Sequence, residues 1–407
     1  MDSQLEGGFL RLETTGLFLL FLCTLYLLYH VTCTIFFNPL SRLPGPWISC
    51  WTDAILKYHW LKGTKAQYVH RLHQRYVGPH EVDISDITAV KEIHRIKYGY
   101  RKAPFYQNLV PNTNNLFNTL DVEFHRHHRR LLSSPLSESS LKSVEPTVDD
   151  YVKTAIASMK REMDERGTAD VAKFWLFMAT DIIVELSFGE SFGILKHGKK
   201  NQYIKDLEGL AAKGSIRSTF PTLITIATKL PLPIFKETAA AAQRIRDYSA
   251  EAVARYKRDF ANNPAAAKPT LFGKLFEAGE AGLSDDEIRA EAQAYIVAGS
   301  DTTATTLTYL VYSVCCRGDA RQKLVKELME LPDDFGHSDL RELRLATVRF
   351  FRAFPNACVS SIEGMSQDDM ELRAYFLLTP KGGRCLIQLD LKNWPTVSSL
   401  CSLTMRG

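Results

Sequence analysis

The chain has 407 residues, 45% of them hydrophobic and 11% aromatic. That is enough to bury a large core, as one big domain or two smaller ones, and it excludes a disordered tail. Fifty Lys and Arg against 46 Asp and Glu leave a formal charge of +4, which gives no ground for nucleic-acid binding, and eight cysteines without a CxxC pair exclude a zinc module or a disulfide scaffold, so reduced thiols facing the cytosol are expected.

The first element is apolar. After a tail over residues 1–15, the stretch GLFLLFLCTLYLLYHVTCTIFF, residues 16–37, runs 22 residues without a formal charge, long enough to cross a hydrocarbon core of about 30 Å. It exceeds a signal-peptide core and no small-residue cleavage site follows, so a retained single-pass anchor is expected. Asp2, Glu6 and Glu13 against Arg11 precede it, while Arg42, Lys57, Lys62 and Lys65 follow. Positive-inside asymmetry then puts the tail in the lumen and the bulk of the chain in the cytosol. In SRLPGPW, Pro44, Gly45 and Pro46 cannot continue a helix, and residues 38–47 form a stiff hinge.

Further along, FHRHHRRLLSSPLSESSLK, residues 124–142, reads as a basic helix carrying three histidines in four positions. Adjacent helical positions do not converge on one ion, so this is no metal site. FPTLITIATKLPLPIF, residues 220–235, is apolar but interrupted by Pro221, Pro231 and Pro233, too short and too broken to span a bilayer. The longest helix is expected from Asp285 to Arg317. Ser284 and Glu287 form a capping box, Asp285 and Asp286 put negative charge in the first turn, and Gly318 offers a stop. Those 33 residues extend roughly 50 Å. Ala304, Leu307, Val311 and Val314 recur at helical spacing for burial. Yet Gly299, Ser300, Asp301, Thr302 and Thr303 stand in its middle, where glycine and β-branched residues weaken a helix.

An N-terminal anchor, a Leu-Pro-Gly-Pro-Trp hinge and AGSDTT within a long helix together resemble the microsomal cytochrome P-450 monooxygenases, in wording like the filamentous-fungal secondary-metabolite branch. The resemblance implies a mainly α, cytochrome P-450-like helical fold with a small β-sheet, an endoplasmic-reticulum location and haem as cofactor. It also implies NADPH-cytochrome P-450 reductase as partner and small apolar substrates that are hydroxylated or epoxidised. DIIVELSFGESFGIL, residues 181–195, looks like the helix that packs behind the long one. His125 and Arg129 match positions that reach haem propionates, for which a charge-assisted donor and a rigid guanidinium fork are suited. Ala298 and Gly299 match the segment crossing the distal haem face, where a bare glycine would let the backbone approach the porphyrin. Thr302 would turn its hydroxyl to the carbonyl four residues back and open a local groove, and with Asp301 would relay protons to bound dioxygen.

The resemblance covers residues 10–343, with a partial domain over 48–343. HQRYVGPHEVDISD, residues 73–86, is shorter than the family's first β-hairpin, so one strand is expected to be missing or truncated. After DLREL, residues 339–343, neither Glu-x-x-Arg nor the Phe-x-x-Gly-x-Arg-x-Cys-x-Gly loop follows. The nearest imitation is KGGRCLI around Cys385, with Cys358 and Cys401 poorer still. Residues 344–407 read as an atypical tail of the kind a shifted frame or a retained intron would produce. Without an axial thiolate there is no O–O cleavage. The chain is therefore expected to be inactive and haem binding doubtful, which leaves a membrane-tethered, non-catalytic interaction role as the alternative.

Overall fold

The structure is a computed structural model that describes residues 2–72, 76–95, 99–110, 113–133, 137–230, 233–262, 270–271, 273, 283–332, 335, 345–360, 367–374 and 378–389. It divides into two compact units, Met1–Tyr100 and Arg101–Gly407. The first holds α1 (Asp2–Phe36), α2 (Ala54–Leu61), α3 (Lys65–Leu72), the strands β1 (Tyr76–Gly78) and β2 (Glu81–Val82), and α4 (Ile87–Ile93). Within α1, Gly16–Thr34 is the one described helical stretch long and apolar enough to cross a membrane. Beyond it Asn38 caps a short 3-10 turn at Pro39–Arg42, and Leu43 and Pro46 are extended, as a proline hinge requires. The hairpin anticipated as truncated is present in miniature, Tyr76 opposite Val82 and Gly78 opposite Glu81 with an irregularity between them.

The second unit begins with α5 (Pro104–Leu109), α6 (Val122–Ser133) and α7 (Glu138–Arg166), followed by β3 (Ala169–Asp170) and α8 (Val171–Phe188). Then come α9 (Ile194–His197), α10 (Gln202–Thr219), α11 (Pro221–Ala227), α12 (Pro233–Asn262), α13 (Asp285–Cys315) and α14 (Gly318–Met329). The last elements are α15 (Leu345–Ala353), β4 (Ala357–Val359), β5 (Leu372–Ala374), β6 (Leu378–Pro380) and β7 (Leu386–Leu389).

The capping box of α13 forms as expected: Glu287 N–H donates to Ser284 Oγ, and Glu287 Oε2 accepts from Ser284 N–H at 2.8 Å. Gly318 does not stop this helix. α13 ends at Cys315, Arg317 turns extended, and Gly318 opens α14. α8 is the apolar partner of α13, capped at its start by Asp170, whose side chain accepts from Lys173 N–H, and at its end by left-handed Gly189 at φ 78°. A side chain at Gly189 would also meet the ring of Tyr256 on α12 at 2.9 Å.

α7 and α15 pack on the same body, with Trp175 of α8 edge-on to Phe350 of α15 at 5.9 Å. Met159, Trp175, Ile296, Leu307, Phe350, Phe351 and Ile387 are all essentially inaccessible and belong to one cluster. β7 lies at the centre of an antiparallel sheet between β3 and β4, Ile387 opposite both Ala169 and Val359. The segment expected to be an atypical tail therefore supplies a buried helix and the central strand of a core sheet.

Candidate functional site

Along α13, Ala298, Thr302 and Thr306 are exposed at four-residue steps, while Ser300, Ala304, Leu307 and Thr308 are buried. This spacing sorts the polar patch onto different faces of one cylinder. Thr302 Oγ1 donates to Ala298 O at 2.5 Å, as the sequence leads one to expect. So do its neighbours: Ser300 to Ile296 O, Thr306 to Thr302 O and Thr308 to Ala304 O, at 2.7–2.8 Å. Back-bonding satisfies each hydroxyl and lets the helix keep them. The helix continues unbroken through Thr302.

Gly299 lies where α13 approaches α8. A Cβ on it would lie 3.0–3.3 Å from three atoms of Ile183 on α8. Its bare α-carbon serves the approach of two helices, because its side-chain direction is turned away from the exposed stripe that carries Ala298 and Thr302.

Asp301 also points away from that stripe. It lines a cavity of about 300 Å³ shared with Asp170, Lys173, Lys200, Thr305 and Thr379. Burial pushes its carboxyl up to about 6, the nearby Glu208 carboxylate adds to the rise, and Lys200 opposes it. Asp301 and Thr302 are thus adjacent in sequence but face different surroundings.

The three histidines of α6 diverge. His127 is exposed, His125 is half-buried, and His128 is buried. The His128 ring stacks on Phe124 at 3.7 Å, its Nδ1 bonds Phe124 O, and its Nε2 is 3.3 Å from Glu287 Oε1. Among the described residues no group of His, Cys, Asp and Glu converges as a metal site. Burial lowers the affinity of His125 for a proton, and the positive charges of Lys102 and Arg129 lower it further. Lys102 and Arg129 thus both lie near enough for their charges to be felt at His125.

Lys102 was not anticipated from the sequence, and neither was Glu291. Lys102 Nζ donates to Leu116 O and Phe117 O, both at 2.7 Å, while Glu291 Oε1 accepts from Leu116 N–H at 2.6 Å. Glu291 pins the segment before α6 onto α13, and Lys102 ties the same segment to the chain just ahead of α5. Glu291 is 1% exposed. Its carboxyl rises to about 7, chiefly through burial and then through Glu287, against the pull of Leu116 N–H and Lys102. A glutamate seven residues before Ala298, among Ile288, Ala292 and Ile296, was the available signal, since a lone acid on an apolar face needs a partner.

The haem that the resemblance implies can be tested against the thiols. Cys385 is fully buried; its N–H donates to Asp170 Oδ1 at 3.0 Å and its carbonyl accepts from Val171 N–H at 3.0 Å. Burial and the Asp170 carboxylate push its thiol far above the ordinary range. Cys315 is buried and raised to about 12, and Cys358 Sγ bonds Gln388 O inside the sheet. Cys316 sits fourteen residues beyond Thr302, roughly 20 Å along the helix. Cys23, Cys33 and Cys50 belong to the other unit, and Cys401 lies outside the described residues. His125, Arg129 and Lys102 are the side chains that would hold propionates, whereas Cys385, Cys315 and Cys358 are taken up in the core and the sheet, away from the Ala298–Thr302 stripe.

Comparison with known proteins agrees on ancestry. The crystal structure of a cytochrome P-450, CYP102L1, superposes with a TM-score of 0.53 at 15% identity, covering 69% of this chain and 63% of that one, a likeness of fold. The cytochrome P-450 monooxygenase tazI of Aspergillus terreus is 35% identical over 465 aligned positions, covering 87% of this chain and 95% of tazI. The cytochrome P-450 monooxygenase orf2 of Aspergillus niger is 39% identical over 313 positions, 75% of this chain and 64% of orf2. The cytochrome P-450 monooxygenase azaI of Aspergillus niger is 38% identical over 269 positions, 66% of this chain and 57% of azaI. The chain thus spans less than two thirds of those last two relatives. The family profile described as cytochrome P-450 matches residues 47–348, and with most of its length so matched the chain belongs to the cytochrome P-450 family.

Proposed function

We propose that this chain is a membrane-anchored cytochrome P-450 relative that keeps the distal half of a monooxygenase site and does not perform the oxidation. One observation carries the reading: Cys385, the cysteine closest in wording to the family's ligand loop, is sealed in the core against Asp170, while Ala298 and Thr302 lie on a separate exposed stripe. The axial thiolate is what favours O–O cleavage in this family. A porphyrin held by its propionates at His125, Arg129 and Lys102 would lack that bond.

α1 anchors the chain in the endoplasmic-reticulum membrane, with the basic flank beyond the hinge in the cytosol. A reductase and a small apolar substrate, the partners of an intact relative, have no oxygen chemistry to serve here. Asp301 and Thr302 are the residues that would have moved protons; they now hold a half-buried acid and a back-bonded hydroxyl.

The visible spectrum of the reduced, carbon-monoxide-treated full chain tests this, after expression with a reductase and haem precursor. No band of the thiolate type and no NADPH-dependent oxidation are expected. A thiolate band of one haem per chain, lost on Cys385→Ser, would overturn it.

A further inference from the structure

The relationship to tazI contains more than ancestry. Covering 87% of the chain takes about 354 of its 407 residues, so the match must run past residue 343. It also reaches 95% of the relative over 465 positions, so more than a hundred positions of tazI face a gap in this chain. The position of that gap is narrowed by orf2, whose 313 positions use 75% of the chain almost without gaps and cover 64% of the relative, and by the family profile, whose match ends at residue 348. The main gap therefore follows that long continuous stretch. A shifted reading frame or a retained intron would yield unrelated text and could not carry an alignment to the far end of a relative.

The structure gives the physical counterpart. α15 buries Val348, Phe350 and Phe351 completely, with Phe354 beyond it at 2% exposure. Arg349 of α15 pairs with Asp149 of α7, and Arg321 of α14 donates to Ala357 O. Tyr309 of α13 donates to Met370 O at 3.1 Å. β7 pairs with β3, which directly precedes α8, and Val171 N–H donates to Cys385 O as that helix begins. An unrelated appendage has no reason to place apolar runs at the sites where an existing core lacks a strand and a helix.

We propose that α15 and β4–β7 are the family's own C-terminal segment, joined in frame behind α14 across a gap of more than a hundred positions, and that the rejoined chain closes its core without haem. In the resembling family the Glu-x-x-Arg pair and the cysteine loop occupy the stretch that the gap removes, and Cys385 becomes a structural thiol. The proposal rests on family membership and on packing, and it stands apart from the spectral test above.

Hydrogen–deuterium exchange of the full-length, detergent-solubilised chain tests it, with protein produced with and without a haem precursor. Peptides covering α15 and residues 385–389 should be protected to the level of α8 and α13, and equally in both preparations. Exchange of those peptides within seconds would overturn the core role. Protection that depends on the haem precursor would overturn haem-independent closure. As a second measurement, Ile387→Asp should lower the melting temperature by ten degrees or more, and an unchanged melt would mean that β7 contributes nothing.

Discussion

Gly299 sits in a motif read for a cofactor and packs closely on a neighbouring helix. Its place in AGSDTT points to a ligand; its geometry points to Ile183. Gly299→Val should therefore destabilise the chain by about 1–3 kcal/mol through overpacking, read as a lower melting temperature. Ile183→Ala in the same chain should restore part of it, whereas a glycine kept for a cofactor would show no such rescue. Asp301 and Glu291 make a different prediction. Their folded-state affinities for protons are raised to about 6 and about 7, from ordinary values of 3.8 and 4.5. The folded chain therefore binds more protons than the unfolded one across roughly pH 4–7. Stability from these groups is fully present below pH 4 and is lost as the pH rises through 6 and 7. Asp301→Asn should gain about 1 kcal/mol at pH 7, discounted for its partial exposure, and nothing at pH 4, measured by urea denaturation at both values.

Among elements, α13 was the most legible and the final segment the least. The α13 capping box is local chemistry within four residues, and the apolar run is long enough for its period to be read. Its end was misread because a glycine after a helix has two uses, and here Gly318 begins the next helix. The strands β4 and β7 are three and four residues long, and β7 pairs with residues more than two hundred positions earlier. No window on a sequence contains such a partner. Lys102 and Glu291 escaped notice for a related reason: each acts on the backbone of Leu116, and a backbone acceptor or donor carries no letter. α1 was legible from its hydropathy alone, and its test is also simple. The full chain should stay in carbonate-washed membranes, while a chain starting at Ser41 should move substantially to the soluble fraction. Release of the full chain by carbonate would remove the anchor.

At the scale of the molecule, the proposed joining removes a stretch between the distal elements and the C-terminal segment, both of which are packed in one core. Inserting the corresponding stretch of tazI between α14 and α15 should give a chain that binds haem, measured as haem per protein after purification, with the parent chain as the control. If α15 and β7 were foreign, the insertion would leave haem content at the level of the parent.

The pairing of β3 with β7 also imposes an order of events. Ala169 leaves the ribosome more than two hundred residues before its partner Ile387, a delay of about 10–40 s at 5–20 residues per second. During that interval β3 has no strand to join, and α8 begins without the carbonyl of Cys385 to receive Val171 N–H. With α1 at the very start of the chain, targeting to the membrane would precede closure of this sheet. Chaperones would therefore meet a body with one open edge, and among the described residues the last strand to be made is the one that seals it.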